Sequence, residues 1–469
     1  MEWLRLSLAL LLPTALGVCL VRAAGGPATR DHSLLLAGYG TLLGLLGLPQ
    51  LMRLMNLAGL PLTFGGTALA VALTGAAALL AGGAARARWP IVTPAPVSQS
   101  ALTAAQRVLL WACGALLAVR LAGLGLELLW RPLFPWDATM HWATKARVWF
   151  ELGAMAPFVE NAQWLQTGGA GVYTDHHPAY PPTVPLLQVW ISLALRRWDE
   201  SLVNLPWLVC VMALGAAFFA QARRAGVAVG TAMAFTYLLL SLPLLDTHVA
   251  LAGYADLILG CCYCAAVMAL YNWCVDRQAC QALLAAAFAL LCTQIKNEGL
   301  YWALSLVPAL LVMKLSPRQL LALGLALAAL LATVLAALPR DLVLAGHSLA
   351  GLRLTFHPEA WPALMRQLFI FDNWHLLAYL LLLLIPLALL RGVLRDRSLR
   401  ALLAGLGSAV ALYLVLFLGT KFSYGAIHYT ASGRIALHLM PSLAYLAMLL
   451  FDALYRLDQS ASSSSGDSG

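Results

Sequence analysis

Apolar runs about as long as a bilayer is thick recur along almost the whole of this chain, and that feature limits what it can fold into. Crossing a hydrocarbon core of about 30 Å takes about 20 apolar residues in a helix, and a helix satisfies its own backbone hydrogen bonds where no water is present. Candidate crossings lie at 4–22, 33–52, 65–82, 104–128, 202–220, 226–245, 252–274, 279–295, 298–314, 318–338, 375–391, 400–419 and 435–454. These predict an all-α, polytopic transmembrane bundle of about 13 spans. No segment is left over for a separate soluble domain. Residues 183–195 are apolar but brief and follow Tyr180-Pro-Pro182, so they form either a short crossing or a juxtamembrane helix.

Charge supports the same class. Of 469 residues, 62% are hydrophobic and 10% charged, and the net charge is +9. The arginines are scattered through short loops between apolar segments, the pattern of membrane topology rather than of a nucleic-acid surface. If the Arg86/Arg88 loop is cytoplasmic and 183–221 contributes one net crossing, then Arg223/Arg224, Lys314/Arg318, Arg391 to Arg400 and Arg456 are also inside. The long loop 129–182 then lies outside, together with Asp246-Thr-His248, Lys296-Asn-Glu298, loop 339–374 and loop 420–434. Arg196 and Arg197 are the exceptions, also outside; counting both 183–195 and 202–220 as crossings reverses everything downstream. The nine cysteines fall inside or at the edges of apolar segments, as small core residues do. Cys261-Cys-Tyr-Cys264 has no adjacent histidine or carboxylate to make it a metal cluster. The segment beginning at Trp3 lacks a small-residue cleavage site and is expected to be a retained span. Residues 1–103 are expected to form an amino-terminal module and a linker carrying Pro90, Pro94 and Pro96, 104–454 the main membrane domain, and 455–469 a disordered tail rich in serine.

The polar residues left within this apolar background are the candidates for chemistry. Asp137 lies in Phe134-Pro-Trp-Asp-Ala-Thr-Met-His-Trp, early in the largest loop. It is either an interfacial carboxylate within an aromatic belt or a general base for a sugar hydroxyl. Lys145 and Arg147 follow two to three helical turns later, facing lipid headgroups or a phosphate. His176 and His177 precede Pro178 and Tyr180-Pro-Pro182, which keep this stretch extended and display the histidines. Lys296-Asn-Glu298 interrupts apolar sequence on both sides, where ionisable groups need a partner or water. It is either a paired helix–helix turn or a phosphate-binding lysine. Asp256, in Gly253-Tyr-Ala-Asp, is either a buried hydrogen-bonded carboxylate or one that shares a divalent cation with Asp137. Arg434 heads the last apolar segment, snorkelling to the interface or gripping a phosphate bidentately. Arg353, His357, Trp361 and Asp372-Asn-Trp374 share another outer loop without a spacing that singles one out.

Taken together, Trp136-Asp137 with Trp142 and Lys145, His177-Pro-Ala-Tyr-Pro-Pro182, Gly253-Tyr-Ala-Asp256, Lys296-Asn-Glu-Gly299 and Ser432-Gly-Arg434 through Leu439 resemble bacterial membrane glycosyltransferases of the GT-C superfamily. The resemblance spans roughly 104–454 and is nearest the branch of protein O-mannosyltransferases, aminoarabinose transferase and lipopolysaccharide sugar transferases. It implies a GT-C bundle with juxtamembrane helices in its large outer loop, at the outer face of a bacterial cytoplasmic membrane. The implied reaction is inverting transfer of a sugar from a polyprenyl-phosphate donor to a glycan, lipid or protein acceptor. Asp137 would be the base, and Lys145, Lys296, Arg434 and His177 would steady the departing phosphate, with His176, Tyr180, Asp256 and Glu298 lining the substrate site. The sequence fixes no cofactor, and a divalent cation held by Asp137 with Asp246 or Asp256 is compatible with it. Two departures stand out: Ala138 follows Asp137 where the protein mannosyltransferases carry an Asp-Glu pair, and the chain has no large carboxy-terminal soluble domain.

Two other functions remain open on the sequence. A lipid-linked glycan transporter or flippase would also use ionisable groups in a polar cavity, although no internal repeat is visible. An O-antigen polymerase or ligase would depend on arginines of the later loop, which makes Arg353 the discriminating position.

Overall fold

The computed structural model describes residues 2–25, 33–88, 102–337, 343–344, 347–348 and 354–466. In chain order, α1 (Glu2–Ala23), α2 (Ser33–Leu57), α3 (Phe64–Arg88) and α4 (Ala104–Trp130) lead into the large polar loop. That loop holds a π-helical turn at Ala138–Ala143, α5 (Thr144–Leu152), β1 (Phe158–Val159), α6 (Asn161–Thr167) and β2 (Tyr173–Thr174), with the two strands paired in parallel. There follow α7 (Thr183–Leu195), α8 (Leu205–Arg224), α9 (Val229–Leu240), α10 (Pro243–Ala250), α11 (Ala255–Asp276) and α12 (Ala279–Cys292). Next come α13 (Glu298–Ser305), α14 (Val307–Lys314) and α15 (Pro317–Ala337). The chain ends in α16 (Leu377–Leu390), α17 (Arg397–Gly419), α18 (Ser432–Leu437) and α19 (Met440–Gly466).

Among the described residues, eight helices are long and apolar enough to cross a membrane, or nine if α9 and α10, bent by 54° to one another, are one span. The chain is therefore an all-α, multi-pass membrane protein. Three of the expected crossings are built differently. The segment 279–295 carries a helix of 14 residues, 375–391 another of 14, and 298–314 is divided at Leu306 ahead of Pro308. Pro243 likewise opens α10 and ends the run from α9, because proline has no amide to give the preceding turn. Asp246 and His248, expected in an outer loop, are buried in α10. The carbonyl of Ser241 at this break accepts from Arg120 Nη2 (3.0 Å) and His375 Nε2 (2.7 Å), and Arg120 also pairs with Asp246.

The core is organised around α11. Of its apolar window 89% is buried, against 11% for α4, which places α11 in the middle of the bundle and α4 at its lipid edge. Apolar sequence on every side of α11 suits that position, and its cysteines pack there as small thiols. Gly260 lets the end of α18 come close, since a Cβ would stand 2.8 Å from the carbonyl oxygen of Leu437. This close approach brings Arg434 and His438 to the first turn of α11.

Helices α1 and α2 do not stand apart as a module. Tyr39 donates to the Ala265 carbonyl of α11 (2.8 Å), Arg53 to Gln294 (2.6 Å), and Trp190 of α7 to the Ala9 carbonyl (2.7 Å). Helix α7 is buried almost throughout, and its 13 residues reach about 20 Å, short of a full crossing. It is a buttress inside the bundle. At the other terminus α19 continues as helix to Gly466, where a disordered tail from 455 was expected, because each further residue on an existing helix adds a hydrogen bond without a new nucleus. Pro90, Pro94 and Pro96 of the expected linker, and Arg353, lie outside the described residues.

The crossing of α1 with α2 depends on glycine: a Cβ on Gly44 would overlap the Pro13 carbonyl. Gly44→Val should destabilise the protein by about 1–3 kcal/mol through overpacking. Gly47→Ala, at a position with open space, should leave the thermal midpoint in detergent unchanged or higher.

Candidate active site

Polar residues from four distant segments meet at the first turn of α11. Asp256 is fully buried there, and its carboxylate accepts at both oxygens. Lys296 Nζ (2.9 Å) and His438 Nε2 (2.9 Å) reach Oδ1, while Arg434 reaches Oδ2 from Nε and Nη2 (both 3.1 Å). Arg434 Nη2 also pairs with Asp137 Oδ2 at 2.7 Å, and Lys296 with Glu298 at 3.0 Å. The Arg434 guanidinium lies 4.2 Å over the Tyr254 ring, a cation–π contact that fixes its plane. Trp302 Nε1–H donates to His438 Nδ1 (3.0 Å). Nδ1 is therefore the acceptor, and His438 is neutral with its proton on Nε2.

Local sequence explains why these groups meet. Gly253, with φ +109°, turns the chain into α11, and a side chain there would strike Ala138 (2.7 Å). Its absence lets the turn bearing Asp137 pack beside the one bearing Asp256. A Cβ on Gly299 would overlap the Cys292 carbonyl, so Lys296 sits on a reversal tight enough to push its side chain into the bundle. The start of α11 also favours a carboxylate through its helix dipole.

Exposure grades the members. Asp137 and Arg434 keep 30% and 24% of their side-chain surface open, while Asp256 keeps none. The buried carboxylate is the anchor, and Asp137 with Arg434 forms the accessible edge. Asp256 is the buried, hydrogen-bonded carboxylate that one reading of the sequence offered, and it shares Arg434 with Asp137. Three carboxylates face two cations here: Lys296 sits in the paired turn that one reading of its sequence offered, and Arg434 is engaged by both Asp137 and Asp256. Arg434 Nη1 has no protein partner among the described residues and remains available to an anion.

A second cluster lies in the large loop. Lys145, expected to contact a phosphate, is buried: it donates to the His177 carbonyl (2.7 Å) and pairs with Asp175 Oδ2 (2.8 Å). His141 Nδ1 lies 2.5 Å from Asp175 Oδ1. Burial holds the Lys145 ammonium below the usual lysine range, only partly offset by Asp175. Burial would raise the Asp175 carboxyl, but Lys145 and His141 outweigh it and keep it below the usual range. The rings of His177, Tyr180 and Trp142 stack in succession, at 4.8 and 4.9 Å between centroids. Tyr180 joins the clusters, feeling Lys296 and Glu298 as well, and burial pushes its hydroxyl up to about 12. His176 is exposed and belongs to neither cluster.

Asp137, Asp256, Lys296, Glu298 and Arg434 are thus brought together, while Lys145, His177 and Tyr180 form the adjoining wall. The later loop stays apart, with His357 on Glu359 (2.9 Å), Asp372 on His375 (3.5 Å) and Trp374 buried. His438, Trp302, His141 and Asp175 were missed. A signal for two of them existed, since Asp137, His141 and Lys145 recur at helical spacing and His438 stands four residues after Arg434. No protein-family model, curated protein or solved structure matches the chain.

Asp256→Ala should destabilise the protein by about 3–5 kcal/mol, because it strands buried cations. The half-open Asp137→Ala should cost under about 1 kcal/mol in the same denaturant titration. In the loop, the partial desolvation of the otherwise exposed His177 ring holds it below the usual histidine range, and His141 adds to this. The unfolded loop therefore takes up the proton first, and its folded form loses stability as pH falls below about 6.5, until the folded value is reached. Asp175 contributes only above its own range and stays ionised through this window. Amide hydrogen exchange in residues 157–180, corrected for its intrinsic pH dependence, should show weaker protection at about pH 5 than at about pH 7.5, and His177→Gln should flatten the difference.

Proposed function

We propose that this protein is a membrane glycosyltransferase of GT-C type, transferring a sugar from a polyprenyl-phosphate donor to a cell-envelope acceptor with inversion. The observation that carries the reading is the half-exposed Asp137 held against Arg434 at the mouth of a buried ionic cluster. A base and an anion-binding group side by side are what this displacement needs. Asp137 spends Oδ2 on Arg434 and offers Oδ1 to the acceptor hydroxyl. As the acceptor oxygen bonds to the anomeric carbon, the bond to the phosphate oxygen breaks and the phosphate leaves with the electron pair. Arg434 Nη1, with Lys296 behind it, opposes the charge that grows on that phosphate. The stacked His177, Tyr180 and Trp142 rings offer a flat wall to a sugar.

Orientation follows from charge. Asp276, paired with Arg224 (2.6 Å), ends the helix that Asp256 begins, about 30 Å away along α11. Arg391 and Arg456 pair at the same far end with Asp458 and Asp452. An arginine-rich end is cytoplasmic by the positive-inside bias, so we place the site at the outer face of a bacterial cytoplasmic membrane. The crossing count on this reading is thirteen, the shorter and broken helices included.

A transporter for a lipid-linked glycan is the second reading, and the bend between α9 and α10 with its Arg120–Asp246 pair favours it, since broken helices line transport sites. One assay separates the two. Purified protein in nanodiscs should consume a synthetic polyprenyl-phosphate sugar and glycosylate an envelope acceptor, with Asp137→Asn lowering kcat by about 10²–10⁴-fold while remaining folded. Undiminished transfer by the variant would remove Asp137 as base, and donor movement between leaflets without a new glycosidic bond would establish the transporter.

A further inference from the structure

The proton taken from the acceptor needs a route out, because Asp137 shares its carboxylate with Arg434 and must be ionised again before each turnover. Asp137 and His141 are four residues apart, at the start and within the π-helical turn Ala138–Ala143, so they leave neighbouring positions of one short turn. A water bridging Oδ1 and the imidazole would link the two groups. The imidazole is already oriented: Asp175, its side chain 1% exposed, lies 2.5 Å from Nδ1 of His141. With the proton of the neutral ring on Nδ1, the lone pair is on Nε2, which has no protein partner among the described residues. Lys145, 2.8 Å from the other oxygen of Asp175, keeps that carboxylate ionised and so able to stabilise an imidazolium. A single-residue ring in a carboxylate's grip, with its second nitrogen free beside a candidate base, is not accounted for by packing.

We propose that His141, oriented by Asp175 and Lys145, is a positioning and proton-relay residue that takes from Asp137, through one water, the proton removed from the acceptor hydroxyl. This rests on the glycosyl-transfer reading. The acceptor oxygen gains its bond to the anomeric carbon, the phosphate departs with the pair of the broken bond, and the proton passes from the hydroxyl to Asp137, to water and to His141 Nε2. From there it leaves past His177, whose exposed ring lies 4.8 Å from that of His141. The titratable groups facing His141 are Asp137 on its own turn, Asp175, His177 and Tyr180 from the loop after β2, and Lys145 of α5 through Asp175. Helix α7, also packed on this turn, contributes none.

The test uses the full chain in nanodiscs with a synthetic polyprenyl-phosphate sugar. His141→Asn is expected to lower kcat about 10²-fold, leave the donor KM unchanged and remove the acidic limb of the pH–rate profile, while added imidazole partly restores turnover in His141→Gly. A wild-type kcat and pH profile in His141→Asn would overturn the relay, as would a loss matched by a loss of folded protein and deaf to imidazole. Histidine ¹⁵N spectra of the wild type and of Asp137→Asn give a reading that needs no turnover. The His141 ring should be the Nδ1–H tautomer, and its Nε2 resonance should move in Asp137→Asn; an unmoved resonance overturns the coupling. If the wild type transfers no sugar, the glycosyl-transfer reading fails by itself, and the spectra still decide whether Asp137 and His141 exchange a proton.

Discussion

A carboxylate with no access to water lies at the centre of this bundle. Asp256 can remain ionised at the first turn of α11 only because Lys296, Arg434 and His438 all converge on it. An unpaired charge in such a place costs more than most single contacts supply, so the helix ends bearing these partners have to meet at one point. Small residues make the meeting possible: Gly253 admits the turn carrying Asp137, Gly260 the end of α18, and Gly299 the tight reversal after α12. The ionic cluster and the close backbone approaches are two parts of one constraint.

That constraint grades the site from anchored to accessible. Asp256 and His438 have no exposed side-chain surface, Lys296 has little, and Arg434 and Asp137 are partly open. Asp137 and the outer edge of Arg434 are therefore the part of the cluster open to the outside, with a buried network behind them. Such support is what keeps a reactive side chain in place to within a fraction of an ångström. The large loop is organised on the same pattern. Lys145 and Asp175 are buried and paired, while His177 is left at the surface and Tyr180 is stacked between His177 and Trp142. Lys145 is thus a fastener of the loop, not a hand held out to a ligand.

Much of this was legible residue by residue. An ionisable group inside apolar sequence signals a partner or a cavity, and that rule picks out Asp256, Lys296 and Glu298, while Asp137 stands out in the polar, aromatic loop and Arg434 at the head of the last apolar segment. The rule could not say which cation meets which carboxylate: Lys145 pairs with Asp175, and Lys296 with Asp256 as well as its neighbour Glu298. His438 was passed over because one histidine in an apolar run resembles ordinary core until the Trp302 indole and the Asp256 carboxylate are seen on either side of it. Asp175 was hidden by the two histidines that follow it.

The apolar runs by themselves determined an all-helical membrane protein, because a chain in hydrocarbon has to satisfy its backbone within each helix. They also located the polar interruptions. Whether an apolar run becomes a crossing was decided only in three dimensions: α7 is buried as a short buttress, and α9 and α10 bend at Pro243, next to a Ser241 carbonyl met by Arg120 and His375. The pairing of charges was likewise a tertiary outcome. Side chains 178 and 182 residues apart in sequence come to one carboxylate, and a one-dimensional pattern carries no record of such distances.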